Sequence, residues 1–266
     1  PEYNLHNSVP IYPNPPVIMI FFFIRFKYAF TYIIFYYNSN IMNIYDCFMY
    51  FDEDLLLDIR LNTLDKFVKK FIISEATYTH NGDKKKLNFN IKNFSQFESK
   101  IIYIIVYDIP EKVENYKKGW SLNFYRENFN RNAISRGLSE CSPDDLIIIS
   151  DADEIPNLEI LNKIEIKKPA IFRQKEFIYK LNLTSNQSWN GSSICAKKYL
   201  KSPQWLRDKR FTRRGLIRKI FFKTQFLDNG GWHFSFLKNP INIAKKLKSY
   251  AHSEFAIFSD VNLIKE

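Results

Sequence analysis

Three short apolar runs, Phe71–Ser74, Ile101–Val106 and Leu146–Ser150, each lead directly into acids: Glu75, Asp108 and Asp151. A fourth, Tyr45–Phe51, precedes them. Such runs, apolar at nearly every position, suit strands buried on both faces, and parallel sheets demand that. Helical spacing fills the intervals. Glu53–Val68 carries Leu56, Ile59, Leu64, Phe67 and Val68 near a 3.6-residue period, and Leu122–Leu138 also reads as a helix, with Gly137 near its end. Strands alternating with helices predict an α/β chain with a mainly parallel, doubly wound sheet, which binds ligands at the carboxyl ends of its strands. The three acids stand at those ends.

Beyond Pro169 the pattern changes to shorter strands, Ala170–Phe172, Phe177–Asn182 and Ile217–Phe222, followed by a helix over Ile241–Tyr250. A looser β-rich C-terminal half is expected, within one domain spanning 42–266. Residues 1–41 read differently. Four prolines lead into an apolar run from Val17 to Tyr37, which is interrupted by Arg25 and Lys27. Each of those charges costs about 2.5–3.5 kcal/mol near the centre of a membrane helix. The segment is therefore expected to be a marginal signal-anchor or upstream sequence outside the folded domain, which would begin at Met42.

The 266 residues carry a net charge of +11, with 45% hydrophobic and 25% charged residues, a balance that suits a folded globular chain. Eleven basic residues against the single acid Asp208 fall between Lys197 and Lys223, so the rest of the chain is nearly neutral. A patch this local fits an anionic substrate, and no nucleic-acid partner is expected. Cys47, Cys141 and Cys195 form neither a CxxC pair nor a zinc spacing. A reducing, cytoplasmic setting or a position peripheral to a membrane is the expectation, with a single N-terminal anchor as the alternative.

Three motifs carry chemistry. In IIISDADEIP, Ile147–Pro156, a buried strand delivers Asp151 and Asp153 into a turn followed by Glu154. Two carboxylates so spaced can reach one Mn²⁺ or Mg²⁺, hard cations that share their shell with substrate phosphates. GGWHFSF, Gly230–Phe236, offers two glycines for close backbone approach to a ligand, the face of Trp232, and His233 as a nitrogen ligand. RENFNRNAISRGL, Arg126–Leu138, offers Arg126 or Arg131 as a phosphate fork and Asn132 as a nucleotide contact. A metal-dependent phosphatase or nucleotidyltransferase could use the same acids. In phosphatases of the haloacid-dehalogenase type, however, a Thr or Val follows two residues after the second Asp and the motif opens the domain. Here that position is Ile155, and three strands precede it.

Together these segments resemble glycosyltransferase family 17, the β-1,4-mannosyl-glycoprotein 4-β-N-acetylglucosaminyltransferase family. IYDCFMYFDEDLLLDIRLNTL (Ile44–Leu64), FIISEATYTHNGDKKKLNF (Phe71–Phe89), DDLIIISDADEIP (Asp144–Pro156), GGWHFSF and AHSEF (Ala251–Phe255) carry the likeness in order. The resemblance implies a GT-A-type fold, a divalent cation on Asp151, Asp153 and His233, and a nucleotide-sugar donor, UDP-N-acetylglucosamine. It also implies inverting transfer to a glycan acceptor. Glu75, Arg131, Asn132 and Trp232 would then contact the donor. Inversion needs a general base, for which Glu154, Asp228 and Glu254 are the candidates.

Overall fold

Burial on both faces turns the apolar runs into strands. The computed structural model describes residues 42–109, 122–210, 224–249 and 260–261. Its elements run β1 (Ile44–Met49), α1 (Asp54–Leu64), β2 (Lys70–Ala76), β3 (Ile101–Val106), α2 (Leu122–Ala133), β4 (Leu146–Asp151), β5 (Glu154–Pro156), β6 (Ala170–Ile178), β7 (Thr184–Ala196), α3 (Pro203–Arg207), β8 (Gln225–Leu227), β9 (Gly231–Ser235) and α4 (Pro240–Ser249). Strands β3, β2, β1 and β4 lie side by side and parallel in that order. Alternate residues divide between two cores. Phe48, Phe71, Ile73 and Ile148 pack with Leu57, Leu61 and Leu64 of α1. Tyr45, Cys47, Ile72, Ile147 and Ile149 pack on the opposite face with Ile134, Leu138 and Leu206.

The sheet continues from β4 through β7 and β6 to β9 and β5, while β8 pairs with β6. Pairings β4–β7, β6–β7 and β5–β9 are antiparallel; β6–β8 and β6–β9 are parallel. The result is a mixed α/β fold on a mostly parallel sheet. This sheet cannot be flat. Four strand spacings of about 4.8 Å would put β5 roughly 19 Å from β4. Yet Asp151 ends β4 and Glu154 opens β5, and three residue steps span at most about 11 Å. The far edge therefore curls back over the end of β4, and the acidic turn bridges the closure.

The second half departs from the sequence expectation. Its strands are the longest: β6 has nine residues and β7 thirteen. Strand β6 runs unbroken through the expected gap after Phe172 and ends at Ile178, where Tyr179 turns the chain at φ 64°. Strand β7 lacks a continuous apolar run because buried Ser192 and Ser193 precede its apolar Ile194–Ala196 end. Ser150 and Gln174 donate to Ser192 Oγ at 2.7 and 3.2 Å in the buried interior. The expected strand Ile217–Phe222 and the whole segment 1–41 lie outside the described residues. Among the described residues, no helix is long and apolar enough to cross a membrane.

Candidate active site

The acidic turn is held from beneath. Arg60, fully buried on α1, donates through Nε and Nη2 to Asp46 at 2.6 Å each, and its Nη1 donates to the carbonyls of Asp151 and Glu154. Its guanidinium lies 4.3 Å from the Phe48 ring centroid. From the other side, Phe234 of β9 donates its N–H to the Asp153 carbonyl at 2.8 Å. The turn is thus fixed by main-chain contacts, leaving its carboxylates to other partners.

Two of those carboxylates meet arginines. Asp151 accepts from Arg131 at 3.1 Å and from Arg207, and Arg210 stands 3.7 Å away. Glu154 is fully buried and accepts from both terminal nitrogens of Arg207 at 2.6 Å, from Trp189 Nε1 at 2.7 Å and from the Asp151 N–H at 3.2 Å. Burial alone would raise the Asp151 carboxyl, but Arg207, Arg131 and Arg210 outweigh it and hold it well below the usual carboxylate range. Its stabilising contribution is thus complete above the unfolded value, near 3.8, and is lost only as pH falls through the lower folded value. The melting-temperature gap between wild type and Asp151→Asn is expected to stay constant from about pH 7 to 5 and to narrow below about pH 4. Thermal melts across that range check it; a gap already closing at pH 6 would contradict the arginine assignment.

Asp153 belongs to a different group. Its Oδ1 lies 3.8 Å from His233 Nε2, and His233 Nδ1 lies 3.5 Å from Glu176 Oε1. The imidazole is stacked on Trp189 with centroids 4.4 Å apart. Asp151, Asp153, Arg131, Arg210, Glu176, Trp189 and His233 all line one cavity of about 850 Å³, a volume in the range of small-molecule sites. Guanidinium groups take both Asp151 oxygens, while the Asp153 carboxylate lies beside His233. Asp153 and His233 offer an oxygen and a nitrogen donor toward the cavity. Among the described residues, no three His, Cys, Asp or Glu side chains converge to hold an ion by themselves.

Other expected site residues are placed elsewhere. Glu75 is buried and clips the loop after β2, accepting from the N–H groups of Asn88 and Phe89 at 2.8 and 3.0 Å and from the Tyr103 hydroxyl at 2.7 Å. Asn132 accepts from the Gln204 N–H at 3.0 Å and so helps to cap α3. Trp232 alternates with His233 along β9 and is exposed away from the cavity. The two glycines admit close backbone of the chain itself: a Cβ on Gly231, at φ 115°, would sit 2.2 Å from the Ile155 carbonyl oxygen, and one on Gly230 2.8 Å from the Arg173 nitrogen. Of the proposed bases, Glu154 is buried under Arg207, Asp228 is exposed and paired with Arg173 at 2.9 Å, and Glu254 lies outside the described residues. Asp108 pairs with Arg136 on the surface. The basic segment does reach the site through Arg207 and Arg210, while 211–223 lies outside the described residues. Glu176 and Trp189 went unnoticed in the sequence, since both sit on strands that carry no motif.

The family model for glycosyltransferase family 17 matches residues 34–265, eight residues upstream of the expected domain start. Over 229 residues the chain is 25% identical to the beta-1,4-mannosyl-glycoprotein 4-beta-N-acetylglucosaminyltransferase of Homo sapiens, and equally to those of Rattus norvegicus and Mus musculus. The matched stretch covers 77% of this chain and 42% of each relative.

Proposed function

Because this chain belongs to glycosyltransferase family 17, we propose that its cavity binds a nucleotide-sugar and that the sugar is transferred to a hydroxyl of a glycan acceptor. The observation that carries this reading is the convergence, in one 850 Å³ cavity at the carboxyl end of β4, of the Asp153–His233 pair with Arg131 and Arg210. The parallel order β3-β2-β1-β4, with its ligand cavity at a strand end, supports a GT-A arrangement. The relatives' name describes transfer of N-acetylglucosamine to a mannosyl glycoprotein, which makes UDP-N-acetylglucosamine the donor to test first.

In this reading Arg131 and Arg210 face the donor diphosphate with positive charge. Asp153 and His233 would hold Mn²⁺ or Mg²⁺; such ions take few protein ligands and fill their shell with substrate phosphate and water. When bound, the ion neutralises charge on the departing diphosphate. Asp151 orients Arg131 and Arg207. The acceptor hydroxyl attacks the anomeric carbon opposite the diphosphate; the glycosidic bond forms as the bond to the diphosphate oxygen breaks, the centre inverts, and the hydroxyl proton passes to a general base.

The test is a panel of UDP-sugars, titrated with and without Mn²⁺ and followed for slow hydrolysis. UDP-N-acetylglucosamine is expected to bind best, more tightly with Mn²⁺, and to release UDP together with free sugar. Release of inorganic phosphate, or no preference for any UDP-sugar over inorganic phosphate, would favour phosphatase chemistry instead.

A further inference from the structure

His233 is built into the sheet between two acids. It is the register partner of Glu154 on β5 and of Glu176 on β6, so all three side chains lie on one face. Glu154 is committed to Arg207 and Trp189. The ion-pair neighbour of Glu176 among the described residues is His233 Nδ1, at 3.5 Å. That nitrogen is buried and makes no hydrogen bond, within a residue that is 6% exposed. A buried imidazole N–H needs an acceptor, and the Glu176 carboxylate is the one at hand. Trp189, stacked on the ring, keeps the imidazole in the plane that sets Nδ1 toward Glu176 and Nε2 toward Asp153.

A neutral imidazole has one donor nitrogen and one acceptor nitrogen. If Nδ1 carries the proton, Nε2 turns a lone pair toward the Asp153 carboxylate. Asp153 Oδ1 and Nε2, 3.8 Å apart, are then an oxygen and a nitrogen acceptor that one cation can take together. We propose that Glu176 is a positioning residue for a divalent-cation site formed by Asp153 and His233: it accepts the Nδ1 proton of His233 and thereby keeps Nε2 open as a ligand. This rests on the reading that the cavity takes a nucleotide diphosphate with its cation. Carboxylates that hold a ligating histidine in this way typically contribute 10- to 100-fold to metal affinity.

The experiment uses the full chain, with Mn²⁺ alone and Mn²⁺ with UDP as probes, and ¹⁵N spectra of the metal-free histidines. His233→Gln identifies the His233 signals. The wild type is expected to show the Nδ1–H tautomer and to bind Mn²⁺ more tightly when UDP is present. Glu176→Leu removes the acceptor. It is expected to weaken Mn²⁺ binding in the presence of UDP by about 10- to 100-fold and to lose the tautomer preference. Glu176→Gln, which keeps an acceptor oxygen without the charge, is expected to fall between. An Nε2–H tautomer in the wild type, or Mn²⁺ affinity within twofold of wild type in both variants, would overturn the assignment of Glu176 alone. No binding of Mn²⁺ with UDP by the wild type would instead overturn the donor reading, and with it the ion site.

Discussion

Arg207→Ala is expected to be strongly destabilising. Its guanidinium is buried and neutralises Glu154, which is also buried. Removing one partner of such a pair leaves the other charge stranded, at a cost of about 3–5 kcal/mol. At 2–4 °C per kcal/mol for a domain of this size, the melting temperature should drop by roughly 6–20 °C. Adding Glu154→Gln to Arg207→Ala removes the stranded charge and should recover part of the loss, a coupling that a double-mutant cycle isolates. An Arg207→Ala protein that melts within about 2 °C of wild type would mean that Glu154 finds another counter-charge, with Arg210, 3.5 Å from its Oε1, the first place to look.

Asp153→Ala should have the opposite profile, a large functional loss with little change in stability. Asp153 lines the cavity beside His233, whose Nε2 lies 3.8 Å from its Oδ1. The variant is expected to melt near wild type while losing donor-dependent Mn²⁺ binding and transfer by at least about 100-fold, more than outer-shell substitutions usually cost. Asp151→Asn is expected to differ in kind. Arg131, Arg207 and Arg210 lose their shared anion, so stability falls along with donor binding. Calorimetry and Mn²⁺ titration on both variants separate the two Asp roles. A folded Asp153→Ala protein with near-normal transfer would remove the proposed function's central residue. Identical profiles for the two variants would remove the distinction between them.

Much of the first half was legible because its strands are apolar on both sides. Phe71–Ser74 and Leu146–Ser150 fall in the interior of the parallel sheet and Ile101–Val106 on its half-buried edge, and their boundaries shift by only a residue or two in the structure. Strand β7 was illegible for the complementary reason. Its buried Ser192 accepts from Ser150 and Gln174, so polarity there marks the interior and not the surface. Trp232 and His233 show how far a motif reaches. Adjacent in GGWHFSF, they point to opposite faces because side chains alternate along a strand, and only His233 enters the cavity.

The ladder of parallel strands, the acidic turn at the end of β4 and the concentration of positive charge in one segment follow from local order: continuous apolarity, carboxylates one residue apart, and clustered Lys and Arg. Which charges meet depends on the folded chain. The pairing of β7 beside β4, with α3 following it, brings Arg207 onto Asp151 across 56 residues, and the pairing of β9 beside β6 puts Glu176 beside His233. Coulomb attraction between such groups is set by distance and burial, not by their separation along the chain. That is why the two Asp residues of one short motif, identical in type and nearly so in position, meet different partners.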